Sequence, residues 1–487
     1  MRILIILFLF FSNSIFADFQ MNERMKESYL YIINLKFEEA NNLLKIEKKK
    51  NPNNGIIALH QNYIDFLTII IGEDEVFFTI AKEKKLERIN LIKEGDEKSP
   101  YYLYAQAEIH LQWAFSRLKF EQYSSAAYEF IKAYYLLEEN QERFPDFTLN
   151  KKGLGLMHAL LGAVPDQFQW IFNLAGLQGG INLGLSEMDA VLNDNDFKMY
   201  ENEVLFLLSF LQINLNNSDA LCQKYLNRIG DDYQENFLLN FAAARLSHFL
   251  GQNDYCIRIL ENRPVVEGTY PFYYLDYLQG MSYLYKLDYE QAEKHFNHFL
   301  KSFKGHSYIK STYHKLAWIS YLKEENNQHK YFEKVLIKGA RSIDEDKVAL
   351  KDAQRNYITH NRLLRTRLLY DGGYYEKSLA VISGVKEVAE YVGYLDEYWY
   401  RLARVEAKLN YADKVLIKGF AKSYEFGRNT TNYYAPMSAL QIGLIYEKQN
   451  KSEQAEIYFE KCLAMSNFDY ERGIHQKAKA GISRISD

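Results

Sequence analysis

The sequence predicts an all-α fold, a solenoid built from antiparallel helix pairs. Three observations predict it. Proline is scarce, seven in 487 residues, so long helices run uninterrupted. A spacing of small and aromatic residues recurs: Gly280-x2-Tyr283-x8-Ala292-x3-Phe296-x2-Phe299 returns as Gly443-x2-Tyr446-x8-Ala455-x3-Phe459-x2-Cys462. Polar turns such as Leu287-Asp288-Tyr289 and Asn253-Asp254-Tyr255 separate the helical stretches at the length of a short helix–helix connection.

Helix packing explains the residue types. A small residue and an Ala belong where two antiparallel helices cross closely, and the aromatics fill the gap between one pair and the next. Weaker copies keep the spacing. They are Ser28, Tyr31, Ala40 and Leu44, followed by Pro52; Ala114, Ala126, Phe130 and Ala133, with Arg117 at the aromatic place; Phe210, Ile213, Cys222 and Leu226; Ala244, Cys256 and Leu260; and Thr366, Leu369, Ser378 and Ile382. This pattern resembles the tetratricopeptide repeat over most of residues 20–480, fading at 60–100 and 140–200. The resemblance implies a right-handed superhelix whose first helices line a concave groove. On that register the groove receives Tyr274, Tyr277 and Met281 from one repeat, Arg245 and His248 from another, Arg367 and Tyr370 from a third, and Tyr400 and Arg404 from a fourth. Aromatic rings and arginines suit an extended peptide or an acidic segment, because Arg pairs with carboxylates bidentately. Packing against the next repeat accounts for some of these tyrosines equally well.

Residues 153–185 break the pattern. Asp166 is their only Asp, Glu, Lys or Arg, and they hold Gly153, Gly155, Gly162, Gly176, Gly179, Gly180 and Gly184. Two short apolar helices are expected, interrupted at Pro165 and at Gly179-Gly180, with glycines admitting another backbone. A small-residue helix, Val164-Pro165, an apolar helix with Trp170, Leu177-x-Gly179-Gly180 and Gly184-Leu185 together resemble a signature of the tetratricopeptide-repeat protein 39 and inclusion-body clearance family. Gly155, Pro165, Gly176, Gly179, Gly184 and Leu185 carry the match, while Val164, Phe172 and Leu177 depart from it. The resemblance implies a helical-repeat adaptor with lipid-droplet or membrane association among its eukaryotic members. The expected organisation is therefore a signal peptide at 1–17, helical repeats at 18–152, the apolar hairpin at 153–185 and a repeat array at 186–487. The hairpin reads first as buried packing, then as a lipid or membrane contact, then as a partner surface.

Arg2, the apolar run Ile3 to Phe11 and the exit Ser12 to Ala17 form a signal peptide, too short to span a bilayer. The mature chain is expected in a periplasmic or extracellular space, and no Cys near the exit marks a lipoprotein. Cys222, Cys256 and Cys462 form no disulfide framework. Cys222 and Cys256 occupy the small-residue place of consecutive repeats, so both are expected as free, buried thiols. A net charge of −4 argues against nucleic acid as a partner. The run Lys82 to Lys98 reads as an exposed helix face of mixed charge.

No catalytic motif emerges, and no cofactor is implied. His295-x2-His298, with His306 nearby, lacks the His-Glu-x2-His order of a zinc helix. The reading is a non-enzymatic scaffold or adaptor for a protein or peptide. Glycan, nutrient or lipid binding is the alternative, and an all-α enzyme follows behind it.

Overall fold

The computed structural model describes residues 19–164, 172, 175–384 and 393–486. The signal peptide at 1–17, and Pro165, Asp166 and Trp170 of the glycine-rich segment, lie outside them. The chain forms two compact units, dividing within residues 251–307. Every regular element among the described residues is helical.

The N-terminal unit contains α1 (Glu23–Ile33), α2 (Phe37–Lys50), α3 (Ile56–Gly72), α4 (Glu75–Lys93), α5 (Pro100–Lys119), α6 (Tyr123–Arg143), α7 (Asn150–Leu161), α8 (Ile181–Leu192), α9 (Glu201–Leu211), α10 (Asp219–Ile229) and α11 (Phe237–Phe249). The boundary between the units crosses α12 (Asn253–Glu261) and α13 (Tyr274–Tyr285) and touches the end of α14 (Tyr289–Ser302). The C-terminal unit continues with α15 (Ile309–Leu322), α16 (Gln328–Ile337), α17 (Asp344–Gln354), α18 (Asn361–Asp371), α19 (Tyr375–Ile382), α20 (Leu395–Lys408), α21 (Asp413–Gly427), α22 (Tyr434–Lys448), α23 (Ser452–Leu463) and α24 (Glu471–Ser486).

Helix starts follow capping chemistry. Asn22 Oδ1 accepts from Met25 N, Asp74 from Val76 and Phe77 N, and Ser99 from Tyr101 N with Pro100 directly after it. Consecutive helices then pack as pairs: α1 with α2, α5 with α6, α15 with α16, α18 with α19, α20 with α21 and α22 with α23. First helices also pack on first helices, α1–α3–α5–α7 in one unit and α18–α20–α22 in the other.

One backbone device closes these pairs. Two residues past the first helix the chain enters the left-handed region, at Leu35, Glu121, Leu287, Glu324, Gly373, Asn410 and Asn450, with φ from 55° to 80°. The next N–H reaches back five residues: Lys36 to Tyr31 O (2.9 Å), Gln122 to Arg117 O (2.9 Å), Asp288 to Tyr283 O (3.0 Å), Glu325 to Ser320 O (2.9 Å), Tyr374 to Leu369 O (2.9 Å), Tyr411 to Glu406 O (3.0 Å) and Lys451 to Tyr446 O (3.0 Å). This is the six-to-one bond of a helix C-terminal cap. It reveals a repeat at α15–α16 that side-chain spacing does not show.

The two strong copies pack as expected. A Cβ on Gly280 would stand 2.6 Å from the Phe296 ring, and one on Gly443 2.5 Å from Phe459. Ala292 and Ala455 are fully buried. In a weaker copy Ser378 Oγ donates to Thr366 O at 2.9 Å, tying α19 to α18 at their small residues. The three cysteines are free and buried. Burial raises Cys222 to about 11 and Cys462 to about 12, so neither is a nucleophile at neutral pH.

Within residues 153–185, α7 and the following α8 cross with their backbones touching. A Cβ on Gly155 would lie 2.7 Å from Gly184 O, and one on Gly184 would meet Gly155 O and lie 2.5 Å from Ala159 N. From Asn150 to Ala159 every residue but Lys151 is buried, so this part of the first expected apolar helix packs in the interior, while Gly162 beyond it is exposed. His158 Nδ1 meets Glu187 Oε2 of α8 at 2.6 Å. No described helix is long and apolar enough to cross a membrane. The charged run 82–98 differs from expectation, because two of its cations turn inward. Arg88 Nη2 pairs with buried Asp65 at 2.6 Å, and Lys85 joins His110 and Arg117 on Glu129. That carboxylate is itself buried. These bonds outweigh the burial that would raise it and hold Glu129 at about 2.

Candidate functional site

The predicted groove residues separate into three groups. Arg245 and His248 lie half-buried on α11, and Tyr274 packs its ring 5.8 Å from Phe241 in the same unit. Tyr277 is placed differently from the sequence register. It is 4% exposed, its hydroxyl meets Ser311 Oγ at 2.9 Å, and its ring touches Phe296, Phe299 and Tyr308. Its position on α13 turns it into the interior of the helix pair, and Met281, one turn on, is half-buried. The third group converges. Arg367 and Tyr370 of α18 meet Tyr400 and Arg404 of α20 on one face of the C-terminal unit.

Helix geometry builds this face. Residues three apart share a helix side, and neighbouring first helices present Lys315 and Trp318 from α15, Arg367 and Tyr370 from α18, and Arg401 and Arg404 from α20. Trp318 carries two cations: Lys315 Nζ lies 3.6 Å and Arg367 Cζ 5.1 Å from its ring centre. Arg404 Cζ lies 4.1 Å from the Tyr370 ring centre and 5.4 Å from that of Tyr400. Tyr433 continues the aromatic surface, 5.8 Å from Tyr400 and edge-on to Tyr470 at 5.6 Å.

The charges here are unevenly satisfied. Arg401 is fully committed to buried Glu397, Nε to Oε1 at 2.6 Å, so it builds the wall. Arg367 stands 3.6 Å from Asp371 and keeps 35% of its side chain exposed. Lys315 and Arg404 make no hydrogen bond or ion pair with a carboxylate among the described residues; aromatic faces lie against them, and Asp352 near Lys315 and Asp371 near both act through their charge without bonding. Burial, reinforced by the Arg367 charge, pushes Lys315 down to about 7. Burial pushes Asp352 up to about 6, and its Oδ2 sits 3.3 Å from Nε2 of His314, whose buried imidazole is held well below its usual range and stays neutral. The face therefore offers cations on π surfaces with carboxylate-binding capacity to spare. Sequence reasoning missed Trp318 and Lys315 because their repeat lacks the small–aromatic spacing. The signal available was a cation or aromatic pair three residues apart recurring in successive first helices.

A second constellation was invisible in the sequence. Lys152, the last charged residue before the glycine-rich stretch, is 2% exposed on α7. Its Nζ donates to Glu108 Oε1 of α5, Glu203 Oε1 of α9 and Tyr63 Oη of α3, each at 2.9 Å. Tyr29 Oη of α1 donates to Glu203 Oε2 at 2.5 Å. Burial raises the Glu203 carboxyl and opposes the lysine charge, but the two carboxylates outweigh that opposition and hold Lys152 above its usual value. Elsewhere, His295 and His298 both turn Nδ1 toward Asp276, at 3.8 and 3.2 Å.

No family model matches the chain. No curated protein matches it either. Among solved structures the chain is similar to the crystal structure of yeast Tom70, at 12% identity over 95% of this chain and 88% of that one, with a TM-score of 0.24. It is also similar to the APC/C hetero-tetramer Cut9-Hcn1, at 10% identity over 98% of this chain and 100% of that one, with a TM-score of 0.25. Likeness at this level is weak, and the helix-pair architecture rests on the chain's own packing and its recurring turn.

Proposed function

We propose that the chain is a non-enzymatic interaction scaffold, and that an acidic peptide segment of a partner protein occupies the face built by α15, α18, α20 and α22. The observation that carries this reading is the pair Lys315 and Arg404, cations seated on aromatic rings with no carboxylate bonded to them. A partner's Asp or Glu would complete them, and Trp318, Tyr370 and Tyr433 would pack its apolar side chains. A charge-assisted hydrogen bond contributes about 1.5–3 kcal/mol, so losing one weakens binding roughly tenfold or more. Fluorescence anisotropy with a labelled decapeptide alternating Glu and Phe tests this. Arg404→Ala and Arg367→Ala should each weaken binding by about that factor, and a Lys-for-Glu peptide should not bind. Affinity unchanged from the native chain in both variants, or equal binding of the lysine peptide, would sink the assignment.

The same reading places the mature protein outside the cytoplasm, as an exported relative of the family that residues 153–185 resemble. Arg2, the apolar run from Ile3 to Phe11 and the small residue Ala17 support export. N-terminal sequencing of protein recovered from the extracytoplasmic fraction should begin at Asp18; an intact Met1 in the cytoplasmic fraction alone would refute it.

A further inference from the structure

Among the described residues three lysines are buried: Lys152, Lys310 and Lys315. Two are committed. Lys152 Nζ serves Glu108 and Glu203, and Lys310 Nζ donates to Val335 O at 2.6 Å. Lys315 is different. It has no hydrogen bond or ion pair among the described residues, and its Nζ sits 3.6 Å from the Trp318 ring centre with Arg367 against the same ring. That Nζ still reaches solvent, unlike the ring nitrogens of His314, which are sealed from it. The charged groups around it belong to two other helices, Glu345 and Asp352 of α17 and Arg367 and Asp371 of α18. None of the three carboxylates bonds to it. An ammonium here lacks most of its water and has a guanidinium beside it, so the neutral amine gains ground. Lys315 is accordingly pushed down to about 7. At pH 7 about half of it is free amine, against roughly one in two thousand for an exposed lysine.

We infer that Lys315 is a covalent capture site for a small carboxylate-bearing aldehyde, its amine forming an imine with the carbonyl while Arg367 holds the carboxylate. Desolvation beside a second cation is one of the ways a lysine becomes a nucleophile. Arg367 supplies the anion selectivity. Its side chain is 35% exposed, and Asp371 stands 3.6 Å away without saturating a guanidinium that has five donors. The narrow opening sets the size, since Lys315 as a whole is only 9% exposed. The step balances without a further reactant. The amine nitrogen bonds to the aldehyde carbon, and its proton passes to the aldehyde oxygen. The resulting carbinolamine loses water and leaves the imine, with nothing oxidised or reduced. The inference shares residues with the acidic-peptide face but does not depend on a peptide binding there.

Glyoxylate is the probe, with acetaldehyde as the aldehyde that lacks a carboxylate. The full chain is treated at pH 7 with limiting aldehyde and cyanoborohydride, which delivers hydride to any imine and fixes it. Peptide mapping by mass spectrometry then compares Lys315 with Lys347, whose side chain is 56% exposed. Glyoxylate should modify Lys315 at least tenfold faster than Lys347. The selectivity for Lys315 over Lys347 should be several-fold smaller with acetaldehyde. Arg367→Gln should bring the two aldehydes to the same selectivity while far-UV circular dichroism stays unchanged. Lys315 modified no faster than Lys347, equal selectivity for the two aldehydes in the native chain, or a glyoxylate excess that survives in folded Arg367→Gln would each overturn the assignment. The two native-chain comparisons decide it even where the variant does not fold.

Discussion

Replacing Lys152 by methionine keeps the unbranched stem and deletes one charge. The structure sets the consequence. The lysine nitrogen lies 2.9 Å from an oxygen of Glu108 and 2.9 Å from an oxygen of Glu203, and its side chain is 2% exposed. Without it, two carboxylates remain within one ammonium's reach of each other, away from water. Removing one partner of a buried ion pair costs about 3–5 kcal/mol, because the other charge stays behind uncompensated. At roughly 2–4 °C per kcal/mol for a unit of a few hundred residues, the melting temperature should fall by about 6–20 °C. The pH dependence follows with its sign. Burial already holds the Glu203 carboxyl above its usual value and the lysine charge works against that rise, so losing the lysine leaves a penalty that is absent below the unfolded value of about 4.3 and grows as pH rises from there to the raised one. Urea unfolding followed by far-UV circular dichroism at pH 5 and pH 8 reads both effects. Lys152→Met should show its full deficit at pH 8 and a smaller one at pH 5. Adding Glu108→Gln and Glu203→Gln should recover most of the loss, since no charge is left to strand. A deficit below about 1 kcal/mol at pH 8, where the loss of a buried partner should dominate, or one that does not shrink at pH 5, would refute the reasoning.

Two further outcomes are expected. Gly184→Ala drives a methyl into the backbone of α7 at Gly155 and Ala159. It should destabilise by about 1–3 kcal/mol despite alanine's helix preference, whereas Gly180→Ala, whose added Cβ meets nothing within 4 Å, should be near neutral; equal urea midpoints for the two variants would contradict the close crossing. Acidic-peptide binding should weaken between pH 6 and pH 8, since Lys315 loses its proton near 7 while Asp352 gains charge above about 6; anisotropy titrations showing flat or rising affinity over that range would remove Lys315 from the site.

Much of the fold was legible because repeat packing leaves a local signature. Gly280 and Phe296, or Gly443 and Phe459, must occur at fixed spacing for two helices to cross closely, so composition along the chain records the contact. The turn that closes each pair is less legible. It demands a left-handed residue, yet Leu287, Glu324 and Asn410 serve as well as Gly373, because the backbone bond and the helices on either side hold the conformation. The pair α15–α16 therefore passed unnoticed, and Trp318 with it. The Tyr277 placement shows the limit of register: Tyr274 and Met281 on the same helix are half-buried, yet Tyr277 between them is interior.

The sequence by itself determined the helix pairs, the buried thiols and the close backbone crossing at the glycine-rich segment, since each depends on residue types within a few turns of one another. Only the tertiary structure decided which charges are interior. Glu108, Lys152 and Glu203 look like any of the chain's 122 charged residues, 59 basic and 63 acidic, until α5, α7 and α9 pack together. Likewise, Lys315, Arg367 and Arg404 become one cationic, aromatic face only when successive first helices align. Burial and convergence are properties of packing between segments distant in sequence, and no local spacing encodes them.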